Sequence, residues 1–161
     1  IALNLTRLSN GQSKVYWVTT DTNGEFQLPI NLCVGNYTAQ ASYNGNDYYA
    51  GSNASVNSII VSKSETILTA DSFNHKVNAG LNFTGSLVVT DGLSPISGQH
   101  IALNLTRLSN GQSKVYWVTT DTLGEFQLPI NLCVGNYSAH CSYAGTSQYV
   151  SSSDNASIIV K

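Results

Sequence analysis

The sequence contains few charged residues. Charged side chains make up only 10% of the 161 residues, well below the roughly 25% of an average soluble protein. Asn, Ser, Thr and Gly supply the polarity instead, and a surface of neutral amides and hydroxyls is typical of exterior or glycosylated proteins. The net charge is −2, with no basic cluster. Because nucleic-acid binding needs several Lys or Arg on one face, we expect no nucleic-acid partner.

Long apolar runs are also absent. The longest span only a few residues, such as Leu87–Val89 and the two Ile of Ser157–Val160, whereas a membrane helix needs about 20. We therefore expect no membrane insertion of this segment. The sequence carries neither a signal peptide nor an anchor, so the chain is expected to be processed or to be a segment of something longer.

Cysteine is scarce and odd in number. With only Cys33, Cys133 and Cys141, a disulfide scaffold is excluded, and at least one thiol is free or paired between chains. Cys33 and Cys133 occupy an Asn-Leu-Cys-Val-Gly loop and are expected to be exposed. Cys141 is expected to be buried and inert. The open alternatives are a disulfide between Cys33 or Cys133 and the same loop of a neighbouring chain, and a disulfide between Cys133 and Cys141. Eight residues reach about 26 Å when extended, so the second bridge requires the loop to fold back.

An internal repeat dominates the sequence. Residues 1–40 recur as residues 101–140 with three changes, which are Asn23 to Leu123, Thr38 to Ser138 and Gln40 to His140. The offset of 100 residues is the length of one β-sandwich domain. We therefore predict a complete repeat over residues 64–161, preceded by the C-terminal part of another over residues 1–63.

Period-two alternation predicts β-strands throughout, with no helix. In Leu81–Val89 the odd-numbered residues are expected to face inward, as are Ile101, Leu103 and Leu105 in the next strand. A hairpin is predicted from Lys114–Thr120 through the turn 121–124 to the strand starting at Phe126. Seven such strands predict an all-β fold of tandem immunoglobulin-like antiparallel β-sandwiches with the first unit incomplete.

Several short motifs carry a family resemblance. The runs T-T-D-x-x-G-E-F, G-N-Y-x-A, S-Y-x-G and I-I-V make the chain similar to the bacterial Ig-like repeats of surface adhesin-like proteins from bacteria and methanogenic archaea. The Asp-x-x-Gly-x-Phe turn is shared with prealbumin-type sandwiches. The Gly135-Asn136-Tyr137 segment resembles the tyrosine corner of such folds. The resemblance implies a stalk, spacer or fibre subunit, with ligand binding in only some members.

The sequons are the strongest functional signal. Asn-x-Ser/Thr occurs seven times, and strand alternation places several of these asparagines on outward faces. We predict N-glycosylation in a competent host, against the alternative that the matches reflect composition alone. The candidate sites are Asn4, Asn36, Asn53, Asn82, Asn104, Asn136 and Asn155.

Other candidate chemistry is weaker. Residues 21–25 resemble the start of a calcium loop, but the second copy has Leu123 at the third position and no distal carboxylate, which favours a turn. His75, His100 and His140 lack the spacing of a zinc site, and no catalytic triad is evident. Neither a cofactor nor catalytic residues are expected. Aromatic pairs such as Tyr16 and Trp17 favour cross-strand packing over a carbohydrate platform.

Together these features predict a non-enzymatic structural segment of an extracellular, cell-surface stalk or filament. The expected partners are neighbouring copies of the chain, assembled head to tail or by strand donation, and N-linked glycans. The alternative is an adhesin module that binds a glycan or protein through loops 45–53 and 145–155, which differ between the copies.

Overall fold

The computed structural model describes residues 1–77 and 80–161, apart from the side chain of Asn57. The described residues form twelve β-strands and no helix, in two compact units, Ile1–Ser62 and Lys63–Lys161. The first unit contains β1 (Ala2–Arg7), β2 (Ser13–Trp17), β3 (Gly35–Tyr43) and β4 (Ser52–Val61). The second contains β5 (Thr66–Ala70), β6 (Phe73–His75), β7 (Leu81–Val89), β8 (His100–Arg107), β9 (Ser113–Thr119), β10 (Glu125–Ile130), β11 (Gly135–Tyr143) and β12 (Ser152–Val160).

The second unit is a two-layer sandwich. One sheet has the strand order β10-β7-β5, and the other has the order β6-β12-β11-β8-β9. All pairs are antiparallel except β6 with β12, where Ile158 is the partner of Phe73. β7 and β8 follow each other in sequence but lie in different sheets, and the same is true of β9 and β10. This division of strands between two packed sheets is that of an immunoglobulin-like sandwich, which confirms the predicted fold class.

The core lies between the two sheets and follows the predicted alternation. Phe83, Leu87, Ile101, Leu103 and Ile158 are completely buried. Phe83 contacts two further rings, with centroids 6.1 Å from Phe73 and 6.3 Å from Phe126. Gly85 lies beneath this cluster, and a methyl group there would collide with the Phe126 ring and with the carbonyl oxygen of Thr69. A glycine is therefore required at this point of β7.

The predicted hairpin at residues 114–130 is wrong. β9 pairs with β8 and β10 pairs with β7, so the chain crosses from one sheet to the other between them. The crossing turn is built locally: Asp121 Oδ1 accepts hydrogen bonds from the backbone N–H of Leu123 and of Glu125, and Gly124 adopts a φ of 72°. The carbonyl oxygen of Gly124 then accepts a bond from the N–H of Leu87. Pro129 is tolerated because β10 is an edge strand.

Two further details differ from the sequence prediction. The second unit has eight strands among its described residues, because the three-residue strand β6 is too short to show a pattern. The predicted loops 45–53 and 145–155 are shorter than expected, since β4 begins at Ser52 and β12 at Ser152. Extended residues with small polar side chains thus continue the sheet where composition alone favoured a loop.

The first unit consists of one four-stranded sheet, in the order β2-β1-β3-β4. Its counterpart of β10, residues 25–30, forms no strand. Side chains that are buried in the second unit are therefore partly open here: Phe126 is 3% exposed, whereas Phe26 is 42% exposed. The first unit has the inner face of a sandwich without the three-stranded sheet that covers it in the second.

The register of the repeated strands is the same in both units. Ala2 pairs with Trp17 and Ser42, as Ala102 pairs with Trp117 and Ser142. The register of the copies differs at the last strand, where the offset falls from 100 to 99 residues. A register shift between Tyr37 and Ala39 on the β3–β4 pair accommodates the extra residue as a β-bulge.

Candidate functional surfaces

Six of the seven sequon asparagines are exposed. In the second unit, Asn104, Asn136 and Asn155 lie on the outer face of the five-stranded sheet, and Asn82 lies on the outer face of the other sheet. Asn36 and Asn53 are exposed in the first unit. Asn4 is only half-buried, yet its Oδ1 is buried and has no partner. Accessibility thus favours glycosylation at six positions, while occupancy stays a prediction.

Two of these asparagines flank a histidine in the sheet. Asn104 and Asn155 are the cross-strand partners of His140, whose Nδ1 is 2.8 Å from Asn155 Oδ1. His100 contacts Thr119, and His75 lies 3.4 Å from the carbonyl oxygen of Gly80. The three histidines are therefore apart, and no group of potential metal ligands occurs among the described residues. The Asp21 and Asp121 segments are turns whose carboxylates accept backbone N–H bonds.

All three cysteines are free thiols in the structure. Cys33 and Cys133 are exposed in the loop before β3 and β11, as predicted. Cys141 is completely buried in β11, also as predicted. Burial and the neighbouring Asp154 carboxylate raise its pKa to about 12, so this thiol is inert at physiological pH. The Cys133–Cys141 bridge is not formed, and pairing between chains stays a prediction.

The paired aromatic residues face opposite sides, as the alternation predicts. Tyr116 is partly buried and packs against the core, whereas Trp117 is 67% exposed on the outer face of edge strand β9. Tyr16 and Trp17 repeat this arrangement. Tyr48 is 90% exposed at the tip of loop 44–51, where Asn46 Oδ1 accepts bonds from the N–H of Tyr48 and of Tyr49.

A tyrosine corner lies at the start of β11 and of β3. The hydroxyl of Tyr137 donates to the carbonyl oxygen of Cys133 at 2.9 Å, and Tyr37 repeats this bond to Cys33 at 2.8 Å. Gly135, with a φ of 153°, lets the side chain of Arg107 pack against the backbone here, since a methyl group would lie 3.2 Å from Arg107 Nε. Arg107 Nη2 in turn donates to the carbonyl oxygen of Val134 at 2.8 Å. Hydrogen bonds from one tyrosine and one arginine thus fix the backbone of the loop before β11.

Beside this corner lies an open cleft that the sequence analysis missed. It has a volume of about 440 Å³ and is lined by Arg107, Lys114, Tyr116, Asn131 and Cys133 among others. The first unit has the same cleft, of about 460 Å³, beside Arg7 and Lys14. The strand register indicates this cleft. Lys114 is the partner of Leu105, so Lys114 faces the same side of the sheet as Tyr116 and Arg107. No basic cluster in the sequence marks the cleft, because Arg107 and Lys114 lie on different strands.

Among the described residues, no helix is long and apolar enough to cross a membrane. Lys114 Nζ lies 4.8 Å from the centroid of the Tyr116 ring, and no carboxylate lines the cleft. The arrangement places cationic side chains in an open cleft and can therefore bind an anion.

Comparisons with known proteins give structural neighbours of low similarity. No family model and no curated protein matches the chain. Among solved structures, the chain is similar to a tetra-tandem repeat in the extending region of a large adhesion protein, with 18% identity and a TM-score of 0.49. That alignment covers 99% of this chain and 41% of the other. Fibronectin(III)-like modules of Clostridium thermocellum CbhA align with 16% identity and a TM-score of 0.40, over 99% of this chain and 77% of theirs.

Proposed function

We propose that the chain is a structural repeat segment of an extracellular, cell-surface stalk or filament. The observation that supports this most is the duplicated sheet. The same strands with the same register recur 100 residues apart, so the sequence encodes one unit repeatedly. Near-identical units in tandem build length and stiffness, because each contributes the same fold and the same surfaces.

The surface chemistry suits such a location. Four sequon asparagines of the second unit are exposed on both outer faces of the sandwich. Glycans there would shield the sheets and raise solubility in a chain with few charges. Expression in a glycosylating host and mass spectrometry of tryptic peptides test this point. We expect occupancy at Asn82, Asn104, Asn136 or Asn155, and Asn4 serves as the less accessible internal comparison.

A force measurement on the tandem protein tests the stalk role. If the repeats are independent sandwiches, pulling the parent protein extends it in steps of equal length. A unit of about 100 residues contributes roughly 330–360 Å when fully extended, less its folded length. Equal steps of that size support a load-bearing array. Extension without steps would contradict the proposal, because it would mean that the units do not fold independently under load.

The uncovered inner face of the first unit requires a complement. We propose that counterparts of β5 and β7 are supplied by a preceding segment of the parent chain or donated by a neighbouring copy, and that residues 25–30 then add the third strand, as β10 does in the second unit. Sedimentation distinguishes these sources. Donation predicts that the 161-residue chain self-associates, and that placing a copy of residues 64–99 before Ile1 makes it monomeric. A monomeric 161-residue chain would contradict donation.

A second candidate is an adhesin module, favoured by the highly exposed Tyr48 and by Tyr49 on loop 44–51. In the second unit the corresponding loop has Gln148 and the half-buried Tyr149. Exchanging loop 44–51 with loop 144–151 keeps the sequence of every strand, because both loops lie between strands. A glycan-array signal that moves with the exchanged loop would support the adhesin role over a purely structural one.

A further inference from the structure

We propose that the cleft beside Arg107 and Lys114, and its copy beside Arg7 and Lys14, bind carboxylate or sulfate groups of an acidic polysaccharide. The nature of the polymer rests on the proposed extracellular location, while anion binding by the cleft stands on the geometry alone. The cleft lies in the body of the repeat rather than in the variable loops. Recognition would therefore be a property of every repeat of this kind.

The first argument is charge. The chain has seven Lys and Arg residues, and four of them line the two clefts, two in each. No Asp or Glu lines either cleft. In a chain of net charge −2, this concentrates uncompensated positive charge at one place per repeat. A concave surface of one charge sign attracts ligands of the other sign.

The second argument is that the cations have unused donors. Arg107 Nη2 donates a hydrogen bond to the loop carbonyl of Val134, while Nη1 makes no hydrogen bond in the described part of the chain. Its Nε is buried without a partner, and Arg7 Nε repeats this in the other copy. Lys114 Nζ contacts the Tyr116 ring and has no carboxylate partner among the described residues. A guanidinium with a free Nη1 and an ammonium that line the same cleft are suited to an oxyanion, which accepts charge-assisted bonds.

The third argument concerns the rest of the lining. Gln112 and Asn131 provide neutral amide groups beside the cations, as recognition of sugar hydroxyls requires. A volume of about 440 Å³ lies in the range of small-ligand sites, which is about 300–1,000 Å³. The cleft is open to solvent.

The repetition of the cleft favours a polymer. One cleft with an exposed lysine and a half-buried arginine binds weakly, because such charge contacts are screened by salt and water. Each repeat adds an equivalent cleft, and a chain with regularly spaced anionic groups engages several of them together. Effective concentration then raises the overall affinity without new contacts. The first unit preserves the cleft although it has only one sheet, so β1, β2, β3 and the preceding loop are sufficient to form it.

The test measures binding of defined polyanions to the full 161-residue chain by titration calorimetry at 20 mM NaCl. The probes are oligogalacturonate for carboxylates, dextran sulfate for sulfates, neutral dextran, and poly-glutamate as an acidic peptide. The site variant is Lys14→Gln with Lys114→Gln, because these side chains are exposed and carry no loop contact. The matched control is Lys63→Gln with Lys161→Gln, which makes the same charge change outside the clefts.

The expected result is binding of oligogalacturonate or dextran sulfate that the site variant weakens roughly tenfold, with little change in the control variant. Whichever of the two binds identifies the anionic group. Binding should also weaken at 300 mM NaCl, where the Debye length falls from about 20 Å to about 6 Å. Equal losses in both variants, or equal binding of neutral dextran, would overturn the proposal. Stronger binding of poly-glutamate would replace the polysaccharide by an acidic protein partner. None of these outcomes depends on whether the repeats form filaments.

Discussion

The two copies of one phenylalanine provide a test of the difference between the units. Phe26 and Phe126 follow the same Gly-Glu pair and precede the same Gln-Leu-Pro-Ile segment. Phe126 is 3% exposed, with its ring 6.3 Å from that of Phe83 and an interplanar angle of 27°. Phe26 is 42% exposed and lies outside any strand. The same substitution therefore removes a core residue in one unit and a loosely packed one in the other.

The two substitutions should differ widely in cost. Phe126→Ala removes a buried ring and leaves a cavity, which costs about 3–5 kcal/mol. Phe26→Ala removes a partly solvated ring and should cost less than about 1 kcal/mol. For a unit of about 100 residues, each kcal/mol shifts Tm by roughly 4–8 °C. Phe126→Ala should therefore lower the Tm of the second unit by at least about 12 °C.

Differential scanning calorimetry of the 161-residue chain measures both effects. The transition that moves with Phe126→Ala belongs to the second unit, and Phe26→Ala should leave it in place. Equal shifts for the two variants would refute the reasoning, because they would mean that Phe26 is buried as deeply as Phe126. A shift of only a few degrees for Phe126→Ala would likewise contradict a core centred on this ring.

Four further predictions follow, three of which concern the second unit alone. Gly85→Ala should destabilise it by several kcal/mol, since a methyl group collides with a ring and a carbonyl oxygen; thermal denaturation checks this. Native labelling with iodoacetamide at pH 8 should modify Cys33 and Cys133 and spare Cys141 until the chain unfolds, as mass spectrometry would reveal. Burial raises the pKa of the Cys141 thiol from 9.0 to about 12, so the folded state favours the protonated thiol. The resulting contribution to stability is fully present below pH 9. That contribution should be lost as pH rises toward 12, and Cys141→Ala should reduce this alkaline loss. Tyr137→Phe should cost about 1 kcal/mol in urea denaturation by removing its bond to the Cys133 carbonyl.

The sequence predicted what depends on local alternation. The inward positions of Leu81–Val89 and of Ile101, Leu103 and Leu105 are confirmed, because one buried face fixes the side on which each residue lies. The buried Cys141 follows from its place in line with Tyr137. The fold class follows from the same strands taken together.

The errors concern contacts between distant segments. The turn at Asp121 looks alike whether the chain returns beside its own strand or crosses to the other sheet, and only the pairing of β10 with β7 decides between these. Strand β6 depends on its parallel partner β12 rather than on any pattern of its own. The cleft was missed for the same reason, because Arg107 and Lys114 approach each other only through the β8–β9 register.

The most direct test of the proposed structural role is electron microscopy of native material sheared from the cell surface. If the repeats form a stalk or filament, the images should show long, thin structures with a regular axial repeat. One sandwich unit spans on the order of 30–40 Å, which is a nine-residue strand at about 3.3 Å per residue plus its end loops. A repeat of that size, labelled along its length by antibodies raised against residues 64–161, is the predicted result. Antibody label confined to compact particles without axial repetition would contradict the account.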